Sequence, residues 1–202
     1  LGRPLTDVYG ITMPCFGTSD RTFENSLELM RTLGVSSKTI NIKESCIKHF
    51  EDIGHDISLL DATYENSQAR ERTQVLMDYA SRVGGFVVGT GDLSELALGW
   101  CTYNGDQISM YGVNCSIPKT LVRWMIASIM KYNIFEESSD VLKDILDTPI
   151  SPELLPPDAK GEIAQVTEDI IGPYALHDFF LYYMLRYGFA PKKIFALACK
   201  AF

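Results

Sequence analysis

Three short apolar runs alternate with stretches of helical periodicity between residues 7 and 90, and this alternation limits the fold more than any other feature. The runs are "DVYGITM" (7–13), "KTINI" (38–42) and "FVVGT" (86–90), all rich in strand formers. After the first, Ser19 or Asp20 can cap a helix in which Phe23, Leu27, Met30 and Leu33 recur at helical spacing, with Gly34 just past its end. "ESCIKHFEDIG" reads as a short helix, and residues 62–82 as a longer one with Arg70, Glu71 and Arg72 on one side. Strands separated by helices need right-handed crossovers, so the expected fold is α/β, a mainly parallel sheet with helices on both faces. Such sheets bind ligands beyond the carboxyl ends of their strands. Two strand ends carry unusual residues: Met13-Pro14 after the first, and Gly89-Thr90-Gly91 after the third, which is expected to be a buried strand through Phe86, Val87 and Val88.

Beyond residue 106 the pattern becomes helical. "PKTLVRWMIASIMKY" starts with Pro118 at a first helical position, "SSDVLKDILD" suggests another helix, and "YALHDFFLYYMLRYGF" a strongly aromatic one. Between them "TPISPELLPPDAKGE" holds four of the nine prolines and reads as an extended loop. At 202 residues the chain suits one domain, with residues 1–106 as a nucleotide-binding α/β part and 107–202 as a helical part. The formal charge of −8, with no Lys/Arg cluster, argues against a nucleic-acid surface but leaves room for small anions at helix ends. No run approaches the roughly 20 apolar residues of a membrane span. Five cysteines without a C-x-x-C pair suit a reduced, cytoplasmic setting. The start at Leu1, without a signal-peptide pattern, reads as an excised piece of something longer.

The chemistry concentrates in "GTGDLSE". Asp92 and Glu95 have the D-x-x-E spacing of a capping box, in which each carboxylate serves a backbone N–H of the first turn. The same residues suit a phosphate-and-metal site, with Thr90 and the turn amides near a phosphate and Glu95 on a magnesium ion, which needs only one or two carboxylates besides phosphate oxygens. The two roles are compatible, because a carboxylate offers four lone-pair sites. Trp100 and Tyr103 are either packed side chains or a stacking surface for a purine or nicotinate ring. Lys119 is either a solvated lysine or a phosphate ligand at a helix start. His49, His55 and His177 share no metal-ligand spacing, and neither G-x-x-x-x-G-K-[ST] nor G-x-G-x-x-G occurs.

The blocks "TMPCFGTSDRT", "DATYENSQARERTQ", "VVGTGDLSELALGWCTYNGD", "VNCSIPKTLV", "TPISPELLPP" and "YALHDFFLYYMLRYGF" resemble, in this order, the synthetase domain of glutamine-dependent NAD⁺ synthetases. That resemblance implies an adenine nucleotide α-hydrolase-like fold of the ATP-pyrophosphatase superfamily. It implies that ATP adenylates the nicotinate carboxylate of deamido-NAD⁺ with Mg²⁺ assistance, and that ammonia from a glutaminase domain then displaces AMP. It places Met13, Thr90, Lys119 and Ser151 at ATP. Asn66, Arg70, Glu95, Trp100, Cys101, Thr102 and Tyr103 fall at deamido-NAD⁺, with Glu95 also on the metal. It further implies a homodimer or larger homo-oligomer, with Ile126 and Met130 of "VRWMIASIMKY" expected at a two-fold contact. The family's S-G-G-x-D-S pyrophosphate loop and first strand do not occur here, so an inactive fragment is the expectation. Other readings are a GMP-synthetase-like adenylating amidotransferase, against which "GTGDLSELALGW" speaks, and a non-catalytic α/β module.

Overall fold

A computed structural model describes residues 2–105, 107–156 and 165–202. After a 3₁₀ turn at Leu5–Asp7, strand β1 (Tyr9–Thr12) leads into helix α1 (Asp20–Leu33). Ser19 caps α1 by accepting from the backbone N–H of Thr22, and Gly34 ends it at φ 69°, a left-handed conformation that glycine adopts without a Cβ clash. Strand β2 (Ser36–Thr39) then pairs in parallel with β1, Tyr9 opposite Ser36 and Thr12 opposite Thr39. The second strand is thus shifted toward the N-terminus from the expected residues 38–42. Residues 40 and 42 still bond back, Ile40 N–H to Thr12 O and Ile42 N–H to Pro14 O, although the ladder is no longer regular.

Helices α2 (Lys43–Ile53) and α3 (Ala62–Val83) follow. Asp61 caps α3 by accepting from the N–H groups of Thr63 and Tyr64. Ile42, Cys46, Phe50 and Tyr64 form a buried core cluster, against which Met13, Cys15, Phe16, Val75 and Leu155 pack. The Phe50 and Tyr64 rings stack at 5.5 Å between centroids. Met13, just past the end of β1, is thus half-buried against this cluster.

Strand β3 (Val88–Gly89) is short and pairs in parallel with β4 (Tyr111–Gly112), which the apolar runs did not announce. Among the described residues the parallel sheet thus consists of two two-stranded pairs, β1–β2 and β3–β4. Phe86 and Val88 are 64% and 52% exposed, so the buried third strand expected from "FVVGT" is a half-open edge. Among the described residues β3 is paired on one side only, with β4.

Helix α4 (Leu93–Leu98) springs from β3, and α5 (Lys119–Lys131), α6 (Ser139–Asp147), α7 (Thr167–Ile171), α8 (Tyr174–Tyr187) and α9 (Pro191–Ala201) complete the fold. Pro118 is the N-cap of α5, one residue earlier than expected. The proline-rich stretch runs without helix or strand from 149 to 156, and its remainder lies outside the described residues. On α5, Ile126 turns inward to line a cavity, while Trp124 is 65% exposed beside exposed Leu121 and Met125. Ile126 and Met130, the residues expected at a two-fold contact, are both half-buried. No described helix is long and apolar enough to cross a membrane.

Candidate active site

The turn from β3 into α4 builds the centre. Asp92, only 3% exposed, is the N-cap of α4, and its carboxylate accepts the N–H of Glu95 at 3.0 Å. Glu95 returns the bond, its Oε2 accepting the N–H of Asp92 at 3.1 Å. The capping box expected from the D-x-x-E spacing is therefore present, and it fixes both carboxylates on one turn. Lys119 at the start of α5 reaches across to them. Its Nζ lies 2.8 Å from Asp92 Oδ2 and 2.7 Å from Glu95 Oε1. The same ammonium sits 5.4 Å from the centre of the Tyr174 ring on α8. Burial pulls its pKa down, but the hydrogen bonds to Asp92 and Glu95 outweigh that pull and leave it above the ordinary lysine value. Far from a solvated surface group, Lys119 is a held cation.

A buried network behind the ion pairs sets the position of that lysine. Ser94 is fully buried, and its hydroxyl oxygen accepts the backbone N–H of Lys119 at 2.9 Å. The Ser94 hydroxyl donates in turn to Asp178 Oδ1 of α8 at 2.5 Å. Asp178 Oδ2 accepts the backbone N–H of Thr120 at 2.8 Å and the Thr120 hydroxyl at 2.7 Å. A carboxylate from a distant helix thus caps the start of α5, where the helix dipole favours negative charge. The sequence reasoning missed Asp178 and Ser94. The available signal was a lone acid inside an aromatic helix, since a buried carboxylate needs several donors.

A cavity of about 460 Å³ opens beside this centre, within the range of small-ligand sites. Thr90, Lys119 and Ser151, three of the four residues expected at ATP, line it together with Asp92, Arg123 and Glu153. Met13, the fourth, is not among the lining residues. The wall formed by residues 148–153 is pinned from several sides. Gln68 Nε2 donates to Leu154 O at 2.8 Å, and Thr22 Oγ1 donates to Glu153 Oε1 at 2.6 Å. At Gly17 a Cβ would come within 2.3 Å of Glu153 O, so the loop after β1 can approach this wall only with glycine there.

The residues expected at deamido-NAD⁺ gather around the loop after α4. Thr102 Oγ1 donates to Asn66 Oδ1 at 2.8 Å, and Arg70 Nε donates to Tyr103 O at 3.1 Å, so α3 grips the 100–105 turn. Asn104 takes a positive φ of 58° in that turn. The Tyr103 ring is 75% exposed and therefore open to a stacking partner. Trp100 N–H bonds Glu95 O at 3.1 Å, and Cys101 Sγ lies 2.7 Å from Gln107 Oε1.

The fit for a divalent cation is that of a site completed by substrate. Two carboxylates face one ammonium, which leaves a net negative charge, and Glu95 keeps 28% of its side chain exposed. Among the described residues no group of three or more His, Cys, Asp or Glu side chains forms a metal cage of its own. Mg²⁺ does not require one, because phosphate oxygens and water fill its remaining positions.

Parallel strand pairs, a capping-box helix start, a held lysine and the cavity beside them define an α/β domain with a candidate ligand site beyond a strand end. The family profile described as NAD synthase matches residues 4–190, and the chain belongs to that family. It is 48% identical over 199 residues to the glutamine-dependent NAD(+) synthetase of Mycobacterium leprae, covering 96% of this chain and 29% of that protein. Among solved structures it resembles NMN synthetase from Francisella tularensis with a TM-score of 0.70 at 26% identity, covering 86% of this chain and 65% of that one. It also resembles glutamine-dependent NAD⁺ synthetase from Acinetobacter baumannii in complex with ADP, with a TM-score of 0.57 at 25% identity, covering 92% and 31%. The chain thus spans about 30% of the length of the curated relatives it matches. The fold expected from strand–helix alternation and from the resemblance is the one these neighbours share.

Proposed function

We propose that this domain carries the ATP-dependent amidation of deamido-NAD⁺ to NAD⁺, with ammonia supplied by a glutaminase domain. The observation that carries the reading is the convergence of Thr90, Lys119 and Ser151 on one cavity, with the Lys119 ammonium held between Asp92 and Glu95. A carboxylate resists attack by ammonia until one of its oxygens belongs to a good leaving group. In the first step a nicotinate carboxylate oxygen attacks the α-phosphorus of ATP, and the bond from that phosphorus to pyrophosphate breaks. In the second, ammonia attacks the acyl carbon, the bond to AMP breaks, and the nitrogen sheds a proton. The chain's task is positioning and charge neutralisation. Lys119 meets phosphate oxygens, held in place by its two carboxylate partners. Thr90 and Ser151 offer hydroxyl donors along the cavity, and Asn66, Arg70 and Tyr103 orient the dinucleotide. Glu95 would hold Mg²⁺, which neutralises phosphate charge when bound.

The resemblance to NMN synthetase supplies a competing acid, the deamidated form of NMN, on the same chemistry. The test uses a polypeptide with the full domain content of the relatives, supplied with ATP, Mg²⁺, ammonium and either acid. NAD⁺ formation is expected from deamido-NAD⁺, with little product from the mononucleotide. Lys119→Met is expected to weaken ADP binding by about 10- to 100-fold, the worth of a hydrogen bond to a charged group. Failure of the unaltered protein to make NAD⁺, or ADP binding undisturbed in the variant, overturns the reading.

A further inference from the structure

Two thiols outside the cavity face each other in the core. Cys15, in the loop after β1, and Cys46, in the first turn of α2, lie 31 positions apart in sequence, with their sulfurs 3.8 Å apart. Cys46 is 1% exposed, whereas Cys15 is only part-buried. The two therefore differ in access as well as in surroundings. The sulfurs stand within about 2 Å of bonding distance.

We propose that Cys15 and Cys46 form a peroxide-oxidisable dithiol site, with Cys15 as the attacking thiol and Cys46 as the resolving one. The Cys15 thiolate attacks one oxygen of a hydroperoxide, the O–O bond breaks, and the departing oxygen takes up a proton and leaves as an alcohol or water. Cys15 becomes a sulfenic acid. The Cys46 sulfur then attacks the Cys15 sulfur, water leaves with the Cys46 proton, and a disulfide remains. The two thiols lose two electrons and the peroxide gains them. A thiol reductant reverses the reaction by exchange.

The surroundings assign the roles. The hydrogen bond between the two thiols holds Cys15 below its ordinary pKa against the opposing effect of burial, and the backbone of Phe16 and then the positive charges of Arg72 and Lys43 add to the lowering. Cys46 is driven the other way, first by the same bond and then by burial. A lowered, reachable thiol beside a buried, protonated one is the arrangement in which the sulfenic acid forms on the first and is captured by the second. The site also adjoins the proposed cavity. The loop that carries Cys15 continues through Gly17, which lies against the backbone of Glu153 and Leu154.

Peptide mapping after mild hydrogen peroxide treatment tests this. In the unaltered protein the dominant product should be a Cys15–Cys46 linked peptide pair, with a loss of two of the five titratable thiols that dithiothreitol restores. In Cys46→Ser, Cys15 should accumulate as a sulfenic acid trapped by a 1,3-dione probe. In Cys15→Ser, Cys46 should remain a thiol. The proposal is overturned if the linked pair is absent while exposed Cys115 or Cys199 oxidises. It is equally overturned if Cys46 is sulfenylated in Cys15→Ser. The mapping of the unaltered protein decides the matter even if neither serine variant folds.

Discussion

Replacing Asp178 by Asn keeps the side chain's shape and removes its charge where three donors converge. An amide oxygen can still serve the two Thr120 donors. The amide nitrogen, however, then meets Ser94, whose oxygen already accepts the Lys119 N–H, and the Ser94 proton loses its acceptor. Hydrogen bonds to a charged group contribute about 1.5–3 kcal/mol and neutral ones about 0.5–1.5 kcal/mol, so losing one and weakening two by about 1–1.5 kcal/mol each amounts to roughly 3.5–6 kcal/mol. For a chain of this size each kcal/mol moves Tm by about 2–4 °C, so thermal unfolding should shift down by roughly 7–24 °C. The control is Asp140→Asn, an exposed acid at the start of α6. ADP affinity measured well below the transition should fall as well, because the Ser94 hydroxyl that anchors the backbone of Lys119 loses its own fixed partner. A shift under about 2 °C, or one equal to the control's, would show that Asp178 is an ordinary buried residue and not the cap of α5.

Glu95→Gln should retain the bond to the Asp92 N–H and hence most of the stability, while lowering turnover and raising the Mg²⁺ concentration needed for half-maximal rate. A shifted Tm with unchanged Mg²⁺ dependence would leave Glu95 a capping residue only. Hydrogen bonds from Arg21, then from Asn25, hold the Asp144 carboxyl at about 2, below its usual 3.8. A depressed folded pKa stabilises above the unfolded value and loses that contribution as pH falls toward about 2. Thermal melts of Arg21→Leu and the unaltered protein should therefore differ by a constant, small amount above pH ~5 and converge between about pH 4 and pH 2. A gap that persists at pH 2 would place the Arg21 effect in packing instead.

Local signals were read best where one residue does one job. Ser19 and Gly34 start and end α1 where expected, because caps depend on the backbone of their own turn. The strands were read less well. "KTINI" and "FVVGT" have the composition of strands, but pairing decides which residues become regular, and only β1 and β4 supply partners. At the site, the D-x-x-E spacing revealed the capping box because both members lie on one turn. The partnership of Lys119 with that turn and the bonds of Asp178 cross 24 to 84 positions, and nothing in local spacing encodes them. The turn and the helix start already pointed to Thr90 and Lys119, whereas Ser151 came only with the resemblance to a family. Neither could say that Lys119 is already engaged by Asp92 and Glu95.

The bond between Ser94 and Asp178 also has a temporal meaning, because it joins residues 84 positions apart. During synthesis the β3–α4 turn leaves the ribosome long before α8 exists, so Lys119 has its carboxylate partners and Ser94 but lacks the Asp178 carboxylate that orients Ser94 and caps α5. Contacts of such sequence separation form late, after the loop entropy between them has been overcome. Nucleotide-binding competence should therefore mature only once residue 178 has emerged and docked, well after the first half of the chain has acquired its helices. A nascent chain stalled before α8 would hold the candidate site residues in sequence without holding them in place.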